Sequence, residues 1–173
     1  MILSEKQLHA SVLEPLIGKP LVFDFKQPRP LGSTHFLLKH FEQKEGKSNS
    51  LKINARCNFQ IFTEGLLLKT TNSTITQAIP INFEDILKFR VIRGEETINP
   101  FILSPMWILL KLGAPILKAR YFRLKGWEYF INKMTLSIVS TRYSLLFEGD
   151  GYKFESQAKL FKDLPFKVEI EVY

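Results

Sequence analysis

Few residues in this chain could do chemistry: among 173 there are three His, one Cys and 17 Asp or Glu. His40 and Glu42 share one face of a regular strand and could share a metal ion, whereas His35, five positions from His40, falls on the other face. Two ligands do not define a metal centre, so neither a metal nor a cofactor is expected. Asp24 stands among apolar residues; buried, it would have a raised pKa, and turned outward it would be an ordinary surface carboxylate. Asp24, His35, His40 and Glu42 are the one group of side chains that could be brought together for acid–base work. Cys57 occupies the apolar phase of an alternating run, which makes it a small core residue rather than a nucleophile. A lone cysteine forms no internal disulfide and cannot supply a four-thiolate zinc site. The chain contains no P-loop, no G-x-S-x-G elbow, no H-E-x-x-H and no G-x-G-x-x-G. Gly149-Asp150-Gly151 reads as a hairpin turn, not as a phosphate cradle. The residues thus point away from an enzyme.

A different chemistry is concentrated between residues 101 and 127. Ser104 can cap a helix, Pro105 suits its first position, Gly113 is a stop and Pro115 blocks continuation. The predicted helix, about 105–112, is far short of the roughly 20 residues that cross a bilayer. Apart from Lys111 it is apolar all round, so something must cover it. It would plug the β-rich body or pack between sheet and N-terminal helix, enter a membrane interface, or meet a second copy of the chain. Lys111, Lys118, Arg120, Arg123 and Lys125 lie within fifteen residues that hold no Asp or Glu, interleaved with Tyr121, Phe122 and Trp127. Those five cations make up most of the formal excess of seven, so the rest of the chain is close to balanced. Cations beside aromatics and an apolar wedge suit an anionic lipid surface, where each contributes about 1 kcal/mol. The same residues could instead form a solvated basic edge strand. The expected binding surface is Trp107, Lys111, Lys118, Arg120, Arg123 and Lys125, facing an anionic membrane or an acidic protein. Nucleic acid is disfavoured, because most aromatics fall in the apolar phase of their strands and are used by the core.

The elements that must position this surface are mainly strands. Val, Ile, Thr and Phe are frequent, 15 residues being Phe, while Ala is scarce. Residues 51–61 alternate without a miss, with Leu51, Ile53, Ala55, Cys57, Phe59 and Ile61 in the apolar phase. Leu21–Phe25, Ile79–Phe83, Leu87–Val91, Met134–Ile138, Tyr143–Phe147 and Phe166–Val172 alternate similarly. Turns are expected at Thr63-Glu64-Gly65, Asn72-Ser73 and Glu148–Gly151, and a loop at 27–32. Ser4 and Gln7 have capping-box spacing for a helix over about 5–17 that Gly18 and Pro20 end. The expectation is a single, mainly β domain over 1–173, an antiparallel barrel or sandwich of about eight to ten strands. Inward Phe residues on a barrel would also suit a carrier of a small hydrophobic ligand. The N-terminus carries no apolar leader, so a cytoplasmic protein is expected, attached peripherally at the inner face of the membrane.

Three stretches carry a resemblance. Phe62-Thr63-Glu64-Gly65-Leu66-Leu67-Leu68 is a turn and glycine entering an apolar strand, and Ile79-Pro80-Ile81-Asn82-Phe83-Glu84-Asp85-Ile86 is an I-P-hydrophobic segment leading through D-I into the next strand. Leu136–Ser140, with Gly149–Gly151, follows as a closing pair. In these features residues 59–164 resemble the bacterial pleckstrin-homology-like and GRAM-like domains. The resemblance implies a β domain closed by a long amphipathic helix, where this chain provides about two turns, Gln157 to Asp163.

Overall fold

The computed structural model describes residues 1–22, 24–26, 30–44, 51–72 and 75–172. The chain is mainly β. Nine strands form one sheet: β1 (Leu3–Ser4), β2 (Phe36–Gln43), β3 (Arg56–Ile61), β4 (Gly65–Asn72), β5 (Ile75–Asn82), β6 (Ile86–Ile92), β9 (Met134–Ser140), β10 (Tyr143–Gly149) and β11 (Val168–Glu171). A separate ribbon pairs β7 (Glu96–Ile98) with β8 (Tyr129–Ile131). The helices are α1 (Ala10–Ile17), α2 (Pro105–Lys111), α3 (Ile116–Ala119) and α4 (Phe154–Lys162).

The order across the sheet is β1-β5-β4-β3-β2-β10-β9-β6-β11. Every neighbour is antiparallel except β11, which runs parallel to β6. The sheet is therefore mixed, not purely antiparallel. It must also curl. In a flat sheet β5 and β6, six places apart, would be separated by about 29 Å. Only Phe83–Asp85 joins them, and a link that short reaches roughly 14 Å. The ends of β5 and β6 therefore approach each other, with no hydrogen-bonded pairing between the two strands among the described residues. The expected mainly β body is thus one curled, nine-stranded mixed sheet that wraps a core.

The alternation read from the sequence supplies the concave face. Phe59 of β3, Leu66 of β4, Ile79 of β5, Phe89 of β6, Leu136 of β9 and Phe147 of β10 belong to one buried cluster. Phe161 of α4 sits inside it, with ring centroids 6.0 Å from Phe59, 4.9 Å from Phe89 and 6.5 Å from Phe36. The inward phenylalanines thus pack against one another inside the curl. The opposite face of β4 and β5 offers Leu67 and Ala78 to Leu13 and Ile17 of α1.

Several expectations are corrected by physical detail. Gly149 and Gly151 do not make a hairpin. β10 continues through Gly149, and Asp150 then caps the turn into α4, its carboxylate accepting from Tyr152 N at 3.0 Å. A Cβ on Gly149 would lie 2.7 Å from Met134 Cε, and one on Gly151 1.9 Å from the Asn132 carbonyl oxygen, so these glycines serve close packing. The tight turn is instead Thr141-Arg142, between β9 and β10, closed by Tyr143 N donating to Ser140 Oγ at 3.0 Å. Residues 51–55 form a turn ahead of β3, with Asn54 at φ 64°, so Ile53 breaks the inward alternation. Leu21, Val22, Asp24 and Phe25 lie outside any strand. The N-terminal segment splits into a 3-10 turn, Glu5–Gln7, and α1, although Ser4 N does donate to Gln7 Oε1 at 3.0 Å as the capping box requires. The turn at Asn72-Ser73 and the loop residues 27–29 lie partly or wholly outside the described residues.

Candidate functional site

Residues 99–128 form a small helical insertion on the β7–β8 ribbon. The local signals act as the sequence proposed. Ser104 Oγ accepts from Trp107 N at 3.1 Å and Pro105 opens α2. Gly113, at φ 81°, ends it, and Pro115 starts α3. The basic run after Lys118 is therefore helix and 3-10 turn rather than an edge strand. The insertion's own core is slight: Met106, Ala119 and Tyr129 are buried, with Leu109, Leu110, Ile116 and Ile131 half-covered around them. Thus α2 neither plugs the curled sheet nor packs on α1; it rests on its own ribbon.

The ribbon and its insertion are tied to the body at several points, Arg123 to Tyr152 Oη among them. Asn132 N donates to the Glu95 carbonyl at 2.9 Å where the ribbon closes. Tyr152, in the turn before α4, donates its hydroxyl to the Tyr129 carbonyl at 3.2 Å.

One carboxylate organises the insertion. Glu128 has no exposed surface. Its Oε1 accepts from Leu124 N and Lys125 N, both at 2.8 Å, while Oε2 accepts from Ser104 Oγ at 2.6 Å and Phe101 N at 3.4 Å. The Ser104 hydroxyl, opposed by burial and helped by the three backbone amides, holds the Glu128 carboxyl below its usual range. Together these hydrogen bonds to the charged form outweigh desolvation. Glu128 is the only acid between Thr97 and Tyr129, and its charge is consumed internally.

The predicted surface residues all belong to this insertion, in different roles. Lys111 lies 5.7 Å from the centroid of the half-buried Trp107 ring. Arg120 donates to Tyr129 Oη at 3.2 Å and lies over the Tyr121 and Tyr129 rings. Those hydrogen bonds, to Tyr121 first and Tyr129 second, raise its pKa further. Arg123 donates to the Tyr129 carbonyl at 2.9 Å and to Tyr152 Oη at 3.2 Å. Lys118 and Lys125 are exposed, and their ammonium groups make no hydrogen bond or ion pair among the described residues. The two arginines hold the fold of the insertion; the two lysines are spare charge.

The surface around them is apolar to a degree that the rest of the molecule is not. Of twenty-one exposed large apolar side chains among the described residues, eleven fall between Ile98 and Trp127. Leu112 is 77% exposed, Tyr121 76% and Leu103 71%. The turn Phe101–Leu103 lies within the stretch 101–127 that the sequence marks out, but none of its three residues is among the expected binding residues; its signal is three consecutive apolar residues before a capping Ser.

The acid–base group does not assemble. Asp24 is exposed and accepts from Lys26 N at 2.8 Å in a local turn, and His35 is also exposed. His40 and Glu42 do meet, Nε2 to Oε2 at 3.8 Å, on an exposed strand face. No group of three or more His, Cys, Asp or Glu with metal-site spacing occurs among the described residues. Cys57 is buried, and desolvation pushes its thiol up to about 12, against a weaker opposing hydrogen bond from the Leu38 backbone. No described helix is long and apolar enough to cross a membrane. Compared with known protein-family models and with curated proteins, the chain matches none.

Proposed function

We propose that the protein is a non-catalytic binding module that attaches peripherally to an anionic membrane through the 99–128 insertion. The observation that carries this reading is a single one. Eleven exposed apolar side chains fall in the same stretch, Ile98–Trp127, as five cations, and the only acid within 98–128, Glu128, is buried and fully hydrogen-bonded. A soluble monomer rarely leaves so large an apolar area uncovered. An interface rich in basic and aromatic groups matches the headgroup boundary of an acidic leaflet, where apolar side chains enter the acyl region and cations meet phosphates. Five cations supply at most about 5 kcal/mol there, enough for reversible attachment once a few apolar side chains are added.

The pleckstrin-homology-like and GRAM-like reading is proposed alongside it. Its support is positional: Thr63-Glu64 turns the chain into β4, Ile79-Pro80-Ile81 lies in β5, and Asp85-Ile86 leads into β6. The helix that follows the last strand of the meander, α4, buries Phe154, Leu160 and Phe161 in the curl. At nine residues it remains shorter than the family's closing helix.

Co-sedimentation tests the membrane reading. The chain should pellet with phosphatidylcholine vesicles containing phosphatidylserine and stay in solution with phosphatidylcholine alone. Equal recovery with both, or none with either, overturns it; capture by an acidic polypeptide without vesicle binding would assign the surface to a protein partner.

A further inference from the structure

Two non-glycine residues among those described have a left-handed backbone, Asn54 at φ 64° and Leu103 at φ 67°. Asn tolerates that conformation because its short polar side chain bonds locally; Leu gains nothing from it and is strained. Leu103 occupies the third position of a four-residue turn closed by Ser104 N donating to the Phe101 carbonyl at 2.9 Å. With φ negative at the second position and positive at the third, this is the turn type that calls for Gly or Asn there. The chain nevertheless places a large apolar residue at the position, and the side chain is 71% exposed, so the strain yields no packing within the molecule. Strained residues persist when the surroundings over-determine them, and such sites cluster where a function needs them.

The surroundings here are explicit. Glu128 accepts from Phe101 N and Ser104 Oγ, the two ends of the turn, and from Leu124 N and Lys125 N on the facing segment. One buried carboxylate thus clamps an apolar turn beside the basic end of the insertion. The Phe101 ring stands edge-on to Trp127, centroids 6.5 Å apart, and both rings are half-exposed. Ile102 adds a third large side chain, 67% exposed.

We infer that Phe101-Ile102-Leu103 is the element that enters the acyl boundary of an anionic bilayer, a wedge held rigid by Glu128 with Lys125 at its base to meet lipid phosphate. This rests on the membrane reading above and deepens it by naming the inserting side chains, none of which is basic. A rigid wedge loses little conformational entropy on insertion, which is the advantage of holding it strained in the free protein.

The test is a substitution whose effects on stability and on binding have opposite signs. Leu103→Asn, and Leu103→Gly as a second variant, suit the left-handed turn, so the Tm should equal or exceed that of the parent. Both should weaken partitioning into phosphatidylcholine–phosphatidylserine vesicles about tenfold, since most of one Leu side chain is no longer buried. A Leu103→Cys protein carrying an environment-sensitive fluorophore should shift to the blue with these vesicles, whereas the same label at Ile53 should not. Parent-like partitioning of both variants, with no spectral shift at position 103, overturns the wedge while leaving the membrane reading intact. Failure of the unmodified protein to bind the vesicles at all overturns both.

Discussion

Lys118 and Lys125 offer the cleanest perturbation of the surface, because each contributes charge without contributing structure. Arg120 and Arg123 do not: they bond Tyr129 and Tyr152, and replacing either would loosen the insertion as well as discharge it. The double variant Lys118→Gln/Lys125→Gln removes two of five cations and no hydrogen bond made by their side chains among the described residues. At about 1 kcal/mol for each cation near an acidic leaflet, affinity should fall roughly thirtyfold. Part of the loss should be recoverable by raising the phosphatidylserine content, and the residual binding should depend less steeply on salt, because surface attraction is screened within about 10 Å at 0.1 M. The assay is vesicle co-sedimentation across a lipid titration at two salt concentrations, with the Tm measured in parallel. An unchanged Tm with unchanged binding would refute the assignment of these lysines to the lipid contact. An unchanged Tm with loss of all salt dependence would show that the two lysines carry the whole electrostatic contribution.

Three further outcomes follow from other parts of the molecule. Phe161→Ala should cost about 4 kcal/mol, lowering the Tm by roughly 8–16 °C in a calorimetric scan, since Phe161 joins both halves of the curl. Cys57 should resist thiol reagents until the protein unfolds. Its thiol is raised to about 12 in the fold from an ordinary 9.0, so the unfolded chain loses the proton first and stability falls as pH rises above 9.0. Denaturant titrations should show that added alkaline sensitivity in the parent and not in Cys57→Ala. Glu128 has a lowered pKa, so its contribution is in place above the ordinary value of 4.5 and is lost as pH falls through the lower folded value. Glu128→Gln should therefore loosen the insertion at neutral pH, seen as faster amide exchange at Phe101, Leu124 and Lys125, while the sheet amides keep their protection.

Much of the sheet was legible because one-face burial enforces strict alternation. Ala55, Cys57, Phe59 and Ile61, then Met134, Leu136 and Ile138, then Tyr143, Leu145 and Phe147, all face the core as their spacing requires. The capped helix at Ser104-Pro105 was legible for the same local reason. What failed depended on partners distant in sequence. Gly149 and Gly151 resemble a hairpin turn, yet their role is set by Met134 and Asn132 pressing on them. Leu21, Val22, Asp24 and Phe25 continue an alternating run, yet they form no strand; Leu21 N reaches β3 at the Ile61 carbonyl. β11 pairs parallel with β6, a contact that spans about 80 residues and leaves no local mark. At the surface, composition revealed the basic residues but not their division of labour. Arg120 and Arg123 are spent on Tyr129 and Tyr152, and Glu128, an unremarked acid after the basic run, is the clamp. The turn at Leu103 escaped notice because nothing in its residue types announces a left-handed backbone.

The chain's two tryptophans, Trp107 and Trp127, both lie in the insertion, so the unmodified protein carries its own reporter of the central claim. Its tryptophan emission should move to the blue and become protected from acrylamide when phosphatidylcholine–phosphatidylserine vesicles are added, and should not change with phosphatidylcholine alone. An emission spectrum and quenching constant indifferent to the anionic vesicles would contradict membrane attachment through this surface.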